Sequence, residues 1–228
     1  MTTLVVLQPG YLPWLGFFDQ MKKADVFVYY DDVQFDKNGW RNRNRIKGSK
    51  GPVWLTVPVR HKGRSDQSIQ AVEVIQDQLW TTKHVKSIRE LYAHAPFTKE
   101  YLDGLEAVLS GPKTHLVDFC YAAVEYFRGV LEIDTPMFRS SDLNIEGERS
   151  ERLVNICNHF QANTYLSGDS AKSYLQDDLF KNAGIDVQWQ NYQHPTYDQQ
   201  HGAFISHLSI VDLVMNMGPD SGTIFSNK

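Results

Sequence analysis

Cysteine is scarce in this sequence, which has two, Cys120 and Cys157, in 228 residues, each within an apolar stretch. No C-x-x-C pair or cluster of cysteine and histidine accompanies them, which excludes a recognisable zinc site. We expect both to be buried free thiols, the usual state of cysteine in a cytosolic protein. Neither lies beside a histidine in a polar loop, so no cysteine nucleophile is predicted.

Long apolar runs are missing as well. No run of 18 apolar residues occurs, and the N-terminal "MTTLVVLQPG" contains too short an apolar segment for a signal peptide. We therefore expect a cytoplasmic protein with no membrane insertion. The net charge of −4 argues against a general nucleic-acid binder, and no duplex DNA partner is expected.

Several catalytic and nucleotide-binding motifs are also absent. The sequence has no G-x-S-x-G elbow, glycine-rich phosphate loop or dinucleotide fingerprint. It has no linker, repeat or low-complexity segment either, so residues 1–228 are predicted to form a single α/β domain.

Acidic residues are absent from residues 37–64, which contain nine basic residues. The rest of the chain carries −13, which is the total of −4 less these nine positive charges. In "GWRNRNRIKG" a basic residue occurs at every second position, and in an extended chain such alternation places arginines on one side and asparagines on the other. A solvated basic face and an anion-binding site both fit this pattern. The row consists of Arg41, Arg43, Arg45 and Lys47, with Asn42 and Asn44 between the arginines.

The N-terminal pattern predicts strand, helix, strand. "TLVVLQ" and "DVFVYYDDVQF" are typical of buried parallel strands, and "LGFFDQMKKA" has the apolar spacing of a helix. Residues 53–59 predict another strand that pairs with the segment before it, and residues 71–75 fit a further short strand. A helical segment around residues 78–131 then separates the two halves of the sheet.

The last third returns to alternating helices and strands. We predict a helix over 150–162, a strand that ends at Gly168, a helix over 170–184 and a strand over 185–192. A polar loop of 15 residues, 194–208, precedes a final helix, and loops this long are often functional. The predicted fold is a three-layer parallel-sheet α/β core, Rossmann-like and nucleotidylyl-transferase-like, with a helical insertion.

Many of the polar residues are predicted to meet at the carboxyl edge of this sheet, where open α/β sheets bind ligands. Arginine binds phosphate through paired charge-assisted hydrogen bonds, and asparagine suits sugar hydroxyl groups. A carboxylate there would position an amine, act as a base or bind Mg²⁺ together with phosphate. The alternative is that the two carboxylates only form capping hydrogen bonds in the turn at the end of the strand. The predicted catalytic residues are Asp31, Asp32 and His194. The predicted substrate-binding residues are Gln8, Tyr11, Asn38, Trp40, Arg41, Asn42, Arg43, Asn44, Arg45, Ser167, Gly168, Asp169, Ser170 and Tyr197.

Motifs along nearly the whole chain resemble the WbqC-like family of bacteria. They are "LQPGYLPWLGFFDQM", "DVFVYYDDVQFDKNGWRNRNRIK", "WLTVPV", "YLSG", "YLQDDLFKNAGIDV", "YQHPTYDQQHGAF" and "LSIVDLVMNMGPDS". The resemblance implies a role in clusters for O-antigen and other surface glycans, where the expected task is adding a small acyl or aminoacyl group to an amino sugar. Many members carry a histidine just before the Gln-Pro pair, where this chain has Leu7.

A more distant resemblance is to pantothenate synthetases and related nucleotidylyl transferases, which join a carboxylate to an amine through an acyl-adenylate. Their H-x-G-H motif corresponds to residues 14–17 here, of which only Gly16 matches. The cofactor is left open, and both ATP and Mg²⁺ are compatible with the pattern.

Two functions therefore remain. One is an enzyme of surface-polysaccharide synthesis that takes a nucleotide-linked amino sugar and an acyl or aminoacyl donor. The other is a non-catalytic nucleotide- or anion-binding scaffold protein of the same pathway.

Overall fold

A parallel sheet of five strands forms the centre of the computed structural model, which describes residues 1–37, 39–76 and 79–225. The strands are β1 (Thr3–Leu7), β2 (Val26–Tyr29), β5 (Met137–Arg139), β6 (Thr164–Ser167) and β7 (Asp186–Trp189). In space they are ordered β5-β2-β1-β6-β7, so the chain adds strands on one side of β1 first and on the other side afterwards. This arrangement confirms the predicted parallel α/β class.

Helices cover both faces of the sheet and produce the three predicted layers. Leu4 and Val6 of β1 pack in one apolar core, whereas Val5 packs in the larger core on the other face. Neighbouring residues of a strand point to opposite faces, which is why a continuous apolar run is needed here. The smaller core includes α6 (Arg149–His159) and α7 (Asp177–Asn182), and the larger includes α1 (Leu15–Lys23) and α8 (Ile210–Met217).

A separate antiparallel hairpin, β3 (Arg43–Gly48) and β4 (Gly51–Thr56), contains Arg43, Arg45 and Lys47 of the row, and Arg41 lies just before it. Gly51 has φ of +122°, a conformation that glycine adopts without a steric penalty, and it allows the tight turn. The pairing register places Arg45 opposite Trp54.

Three helices follow the hairpin and occupy the predicted helical segment, whose residues 77–78 lie outside the described ranges. They are α2 (Leu79–Leu91), α3 (Thr98–Ser110) and α4 (Leu116–Val130). One apolar face of α4 is buried, including Phe119 and Phe127. A short helix, α5 (Ser140–Leu143), follows β5. Across the described residues, no helix combines the length and apolar character needed to cross a membrane.

The strand predicted over residues 71–75 is wrong. Glu73 makes an isolated bridge with His115, whereas Val74 makes one with Val59. Because these two consecutive residues pair with different segments, neither bridge extends into a β-ladder.

Two further segments differ from prediction. The helix predicted over residues 170–184 is broken into a 3-10 helix, Asp169–Ser173, and α7, because Tyr174 leaves the helical region with φ of −136°. Gly184, with φ of +71°, follows α7 as the expected C-terminal glycine. Strand β5 was not predicted, since three residues are too few to show a period of two.

Candidate functional site

Two arginines of the row lie against two tryptophans on the outer face of the hairpin. The guanidinium carbon of Arg43 is 4.7 Å from the ring centre of Trp54. That of Arg45 is 5.2 Å from the ring centre of Trp40 and 5.6 Å from that of Trp54. The tryptophan ring centres are 5.2 Å apart, and each residue is 46% exposed. We call Trp40, Arg43, Arg45 and Trp54 the tryptophan platform.

Asn42 and Asn44 point the other way, as the alternation predicts, and are buried. Nδ2 of Asn42 donates to the carbonyl of Val57 at 2.9 Å, and Nδ2 of Asn44 donates to the carbonyl of Leu12 at 2.7 Å. The Asn44 contact fixes the hairpin to the loop after β1, whereas the Asn42 contact joins the two ends of the hairpin. Their predicted role in substrate binding stays a prediction, and Asn38 lies outside the described residues.

Arg41 connects the row to the loop after the central strand. Its Nη1 donates to the carbonyls of Gln8 at 3.3 Å and Pro9 at 3.0 Å, and its own carbonyl accepts from the amide of Tyr11 at 3.0 Å. Its Nε is buried without a hydrogen-bond partner among the described residues. Burial lowers the pKa of the Arg41 guanidinium, and nearby Asp36 opposes that shift. An arginine with a spare donor at this edge suits an anion.

Tyr11, predicted to bind substrate, is fully buried. Its hydroxyl lies 2.9 Å from Nδ1 of His84. Burial lowers the pKa of His84 to about 4, so this imidazole is neutral at pH 7. The pair belongs to the packed interior, and a substrate contact by Tyr11 stays a prediction.

The turn over residues 167–170 lies at the same edge of the sheet as Gln8, because it follows β6, which pairs with β1 in parallel. Asp169 pairs with Lys172, and this hydrogen bond lowers the pKa of the Asp169 carboxyl. The 3-10 helix that starts here has five residues, and the substrate-binding role predicted for residues 167–170 stays a prediction. Ser167 is buried, Gly168 is half-buried, and Asp169 and Ser170 are exposed.

Four rings from distant parts of the chain form one cluster next to the platform. The ring of His207 stacks on Trp14 with centres 5.1 Å apart and lies 4.9 Å from the ring of His194. Tyr192 meets Trp14 at 5.1 Å and His194 at 5.8 Å. Nη2 of Arg45 donates to the carbonyl of His207 at 3.5 Å, which joins this cluster to the platform. We call Trp14, Tyr192, His194 and His207 the histidine cluster.

The contacts of His194 determine which ring nitrogen carries its proton. Nδ1 lies 2.8 Å from the carbonyl of Pro195, and since a carbonyl only accepts, Nδ1 is the donor. Nε2 is buried and has no hydrogen-bond partner within the described ranges. Burial lowers the pKa of His194, the hydrogen bond to the Pro195 carbonyl opposes this shift, and neighbouring His207 adds to the lowering. The ring is therefore neutral at pH 7, and Nε2 is its unprotonated nitrogen.

Buried Asp212 anchors the loop that contains His194. Its carboxylate accepts hydrogen bonds from the hydroxyls of Tyr92 and Tyr197 and from Nε2 of Gln199, each at 2.7 Å. Burial raises the pKa of Asp212 despite these donors. The hydroxyl of Tyr197, predicted to bind substrate, is thus engaged within the protein.

Asp31 and Asp32 form a network with residues that follow β2 and β5. Oδ2 of Asp31 accepts from Nε of Arg139 at 2.7 Å, and Asp32 accepts from both terminal nitrogens of Arg152. Oγ of Ser140 lies 2.6 Å from Oδ1 of Asp32. A catalytic role for either carboxylate stays a prediction, while these contacts favour bracing of the strand ends.

Metal and thiol chemistry find little support in the part of the chain that the structure describes. There, no three histidine, cysteine, aspartate or glutamate side chains are grouped as metal ligands. Cys120 and Cys157 are buried free thiols, as predicted, and burial raises the pKa of each. Neither thiol is activated as a nucleophile.

Sequence reasoning did not identify four residues of the platform and cluster as site residues: Trp14, Trp54, Tyr192 and His207. A signal existed for Trp54, because a hairpin that turns between Gly48 and Gly51 places it opposite Arg45. No local pattern joins Trp14 to His207, which are distant in sequence and meet only through packing.

The fold and the site together define the class of this protein, which is a three-layer α/β protein. A neutral histidine held in one tautomer lies beside arginines near the carboxyl edge of its parallel sheet. The chain belongs to the WbqC-like protein family, whose match covers residues 8–224. It is 35% identical over 223 residues to the uncharacterized protein Rv1507c of Mycobacterium tuberculosis, which covers 97% of this chain and 96% of that protein. No solved structure matches the chain.

Proposed function

We propose that this protein is a transferase or ligase that adds a small acyl or aminoacyl group to a nucleotide-linked amino sugar for bacterial surface polysaccharide. The observation that carries the proposal is His194, whose Nδ1 is bound to the Pro195 carbonyl while its Nε2 has no partner among the described residues. A base that is held in one tautomer and kept neutral suits proton removal from an amine. The family resemblance supports the choice of sugar substrate.

Amide formation requires such a base, because the attacking amine nitrogen becomes positive as its bond to the acyl carbon forms. Nε2 of His194 accepts the N–H proton, and the bond between the acyl carbon and its leaving group breaks, with the electron pair going to the leaving group. The resulting imidazolium returns the proton to the leaving group or to water. General base catalysis of this kind contributes about 10²–10⁴-fold.

The arginines supply the binding of the nucleotide phosphates. Arg45 contacts the histidine cluster through the His207 carbonyl, so a phosphate beside Arg45 lies close to His194. The Nε of Arg45 is buried and has no partner in the described part of the chain, so it becomes a donor to a phosphate once the side chain shifts to expose it. Charge-assisted hydrogen bonds to phosphate are roughly twice as strong as neutral ones.

The test is an assay of acyl or aminoacyl transfer to nucleotide-linked amino sugars, in which the product is detected by mass spectrometry. The donors supplied are an aminoacyl-tRNA, a carboxylic acid with ATP, and an acyl thioester. His194→Gln should lower kcat by about 100-fold or more while the melting temperature stays near wild type. His159→Gln, an exposed histidine on α6, is the matched control and should retain full activity. Full activity in a folded His194→Gln protein would contradict the proposal.

The pH profile gives a second readout. Because burial lowers the pKa of His194 below 6.5, Nε2 is already unprotonated at neutral pH. The ratio of kcat/KM between wild type and His194→Gln, in which protonation of the acceptor amine cancels, should therefore be level near pH 7 and should fall only when acid protonates His194. A ratio that rises steeply between pH 7 and pH 9 would point to a different base.

The second candidate is a non-catalytic nucleotide- or anion-binding protein. It is favoured by the engagement of Asp31 with Arg139 and of Asp32 with Arg152, since neither carboxylate is then a ready base. Nucleotide binding without turnover of any of the three donors, unaffected by His194→Gln, would support this alternative.

ATP and Mg²⁺ remain open as cofactors. The oxygens of Asp31 and Asp32 already accept hydrogen bonds from Arg139, Arg152 and neighbouring serines. They do not fit a protein-held Mg²⁺ site as arranged.

A further inference from the structure

The tryptophan platform is an unusual surface for a protein of net charge −4. Trp40 and Trp54 are each 46% exposed, although indole rings usually gain stability from burial. Arg43 and Arg45 lie over these rings, within 4.7 to 5.6 Å of their centres. Nε of Arg43 also donates to the carbonyl of Gly39 at 3.2 Å, which fixes that guanidinium in place. The platform therefore presents aromatic rings and ordered positive charge together.

We infer that the platform binds a nucleotide by stacking its base on Trp40 or Trp54 while Arg43 and Arg45 contact its phosphates. A neutral sugar uses the rings but not two guanidinium groups, and a simple anion uses the guanidinium groups but not the rings. A nucleotide uses both, because every base has an aromatic face and every phosphate is an anion. This inference rests on the proposed function and names the part of the substrate that the hairpin holds.

The order of groups along the surface matches the order within such a substrate. The tryptophan rings come first, Arg45 lies between them and the His207 carbonyl, and His194 follows at 4.9 Å from the His207 ring. In a nucleotide-linked sugar the base, the phosphates and the sugar follow one another in the same sequence. A base on the platform therefore directs the amino sugar towards His194.

The experiment measures binding of a nucleoside diphosphate by calorimetry, with no acyl donor present. Trp54→Leu should weaken binding by about 5-fold to 150-fold, whereas Trp54→Phe, which keeps an aromatic face, should recover most of the affinity. Val53→Ala, at the adjacent exposed position, whose side chain points to the other face of the strand, is the matched control and should bind normally. Circular dichroism and melting curves show whether each variant is folded.

Three outcomes would overturn the inference. The first is a folded Trp54→Leu protein that binds the nucleoside diphosphate with unchanged affinity. The second is a wild-type protein that binds single-stranded RNA but not the nucleoside diphosphate. The third is self-association of the wild-type protein that Trp54→Leu abolishes. The His194 assay remains separate, because it tests turnover rather than affinity. Activity that depends on His194 but not on Trp54 would contradict the platform and leave the proposed function standing.

Discussion

At the scale of single residues, Asp31 shows how burial commits a charged group to a structural partner. Its side chain is fully buried, and its carboxylate accepts from Nε of Arg139 at 2.7 Å and from the amide and hydroxyl of Ser141 at 3.0 Å. A carboxylate without such donors would be costly in this position. These contacts tie the end of β2 to the start of α5.

We predict that Asp31→Ala lowers the free energy of unfolding by about 3 kcal/mol, near the lower end expected for breaking a buried ion pair. The lower value applies because 28% of the Arg139 side chain is exposed, so water can hydrate its guanidinium group when Asp31 is removed. Urea unfolding followed by circular dichroism measures the change. Asp178→Ala, at an exposed position on α7, should change stability by less than about 0.5 kcal/mol. Wild-type stability in Asp31→Ala would contradict the bracing role.

At the scale of elements, the loop over residues 194–208 is held by side chains from other segments. Lys47 of β3 is fully buried, and its Nζ donates to the carbonyls of Gly202 at 3.2 Å and Ala203 at 2.7 Å. Nε2 of His201 lies 2.7 Å from the carbonyl of Leu91. The position of His194 thus depends on contacts made by the rest of its loop.

We predict that Lys47→Met loosens this loop while the sheet remains folded. The change leaves two loop carbonyls without their donor, at a cost of about 1–3 kcal/mol for each group that stays buried. Hydrogen exchange should increase over residues 197–208 and stay unchanged in β1 and β6. Lys50→Met, in the exposed turn of the same hairpin, is the control. Equal protection of the loop in both variants would rule out Lys47 as its anchor.

At the scale of the whole molecule, the buried histidine His84 makes stability depend on pH. It is 7% exposed, and burial lowers its pKa to about 4, although a hydrogen bond with the backbone of Thr56 opposes the shift. The unfolded chain has the ordinary value near 6.5, so between these two values it binds more protons than the folded protein. Stability contributed by neutral His84 is complete above pH 6.5 and is lost as pH falls towards 4.

We predict that this loss approaches about 3 kcal/mol for His84 alone. The free energies of unfolding of wild type and His84→Gln are measured at pH 7 and at pH 4. The difference between the two proteins isolates the contribution of His84, because the other groups titrate in both. The difference in stability between them should shrink as pH falls. If His84→Gln does not fold, NMR titration of wild-type His84 gives the same test, and a pKa near 6.5 would contradict it.

Much of the fold was predictable because its signals are local. Buried parallel strands appear as continuous apolar runs, and helices as apolar residues three or four positions apart. In "LGFFDQMKKA" that spacing places Leu15, Phe18 and Met21 on one helical face, and all three are fully buried. The short strand β5 and the bridges at Glu73 and Val74 were not predictable, since they depend on which distant segment is adjacent.

The sequence by itself determined the parallel α/β class, the family, the buried thiols and the alternation of arginine and asparagine. Each depends on residue type and on spacing within a few positions of the chain. Only the tertiary structure decided that Arg45 meets His207, that Lys47 anchors the long loop and that Pro195 fixes the tautomer of His194. The first two contacts join residues more than 150 positions apart, and the third needs the backbone geometry of a loop that packing holds in place.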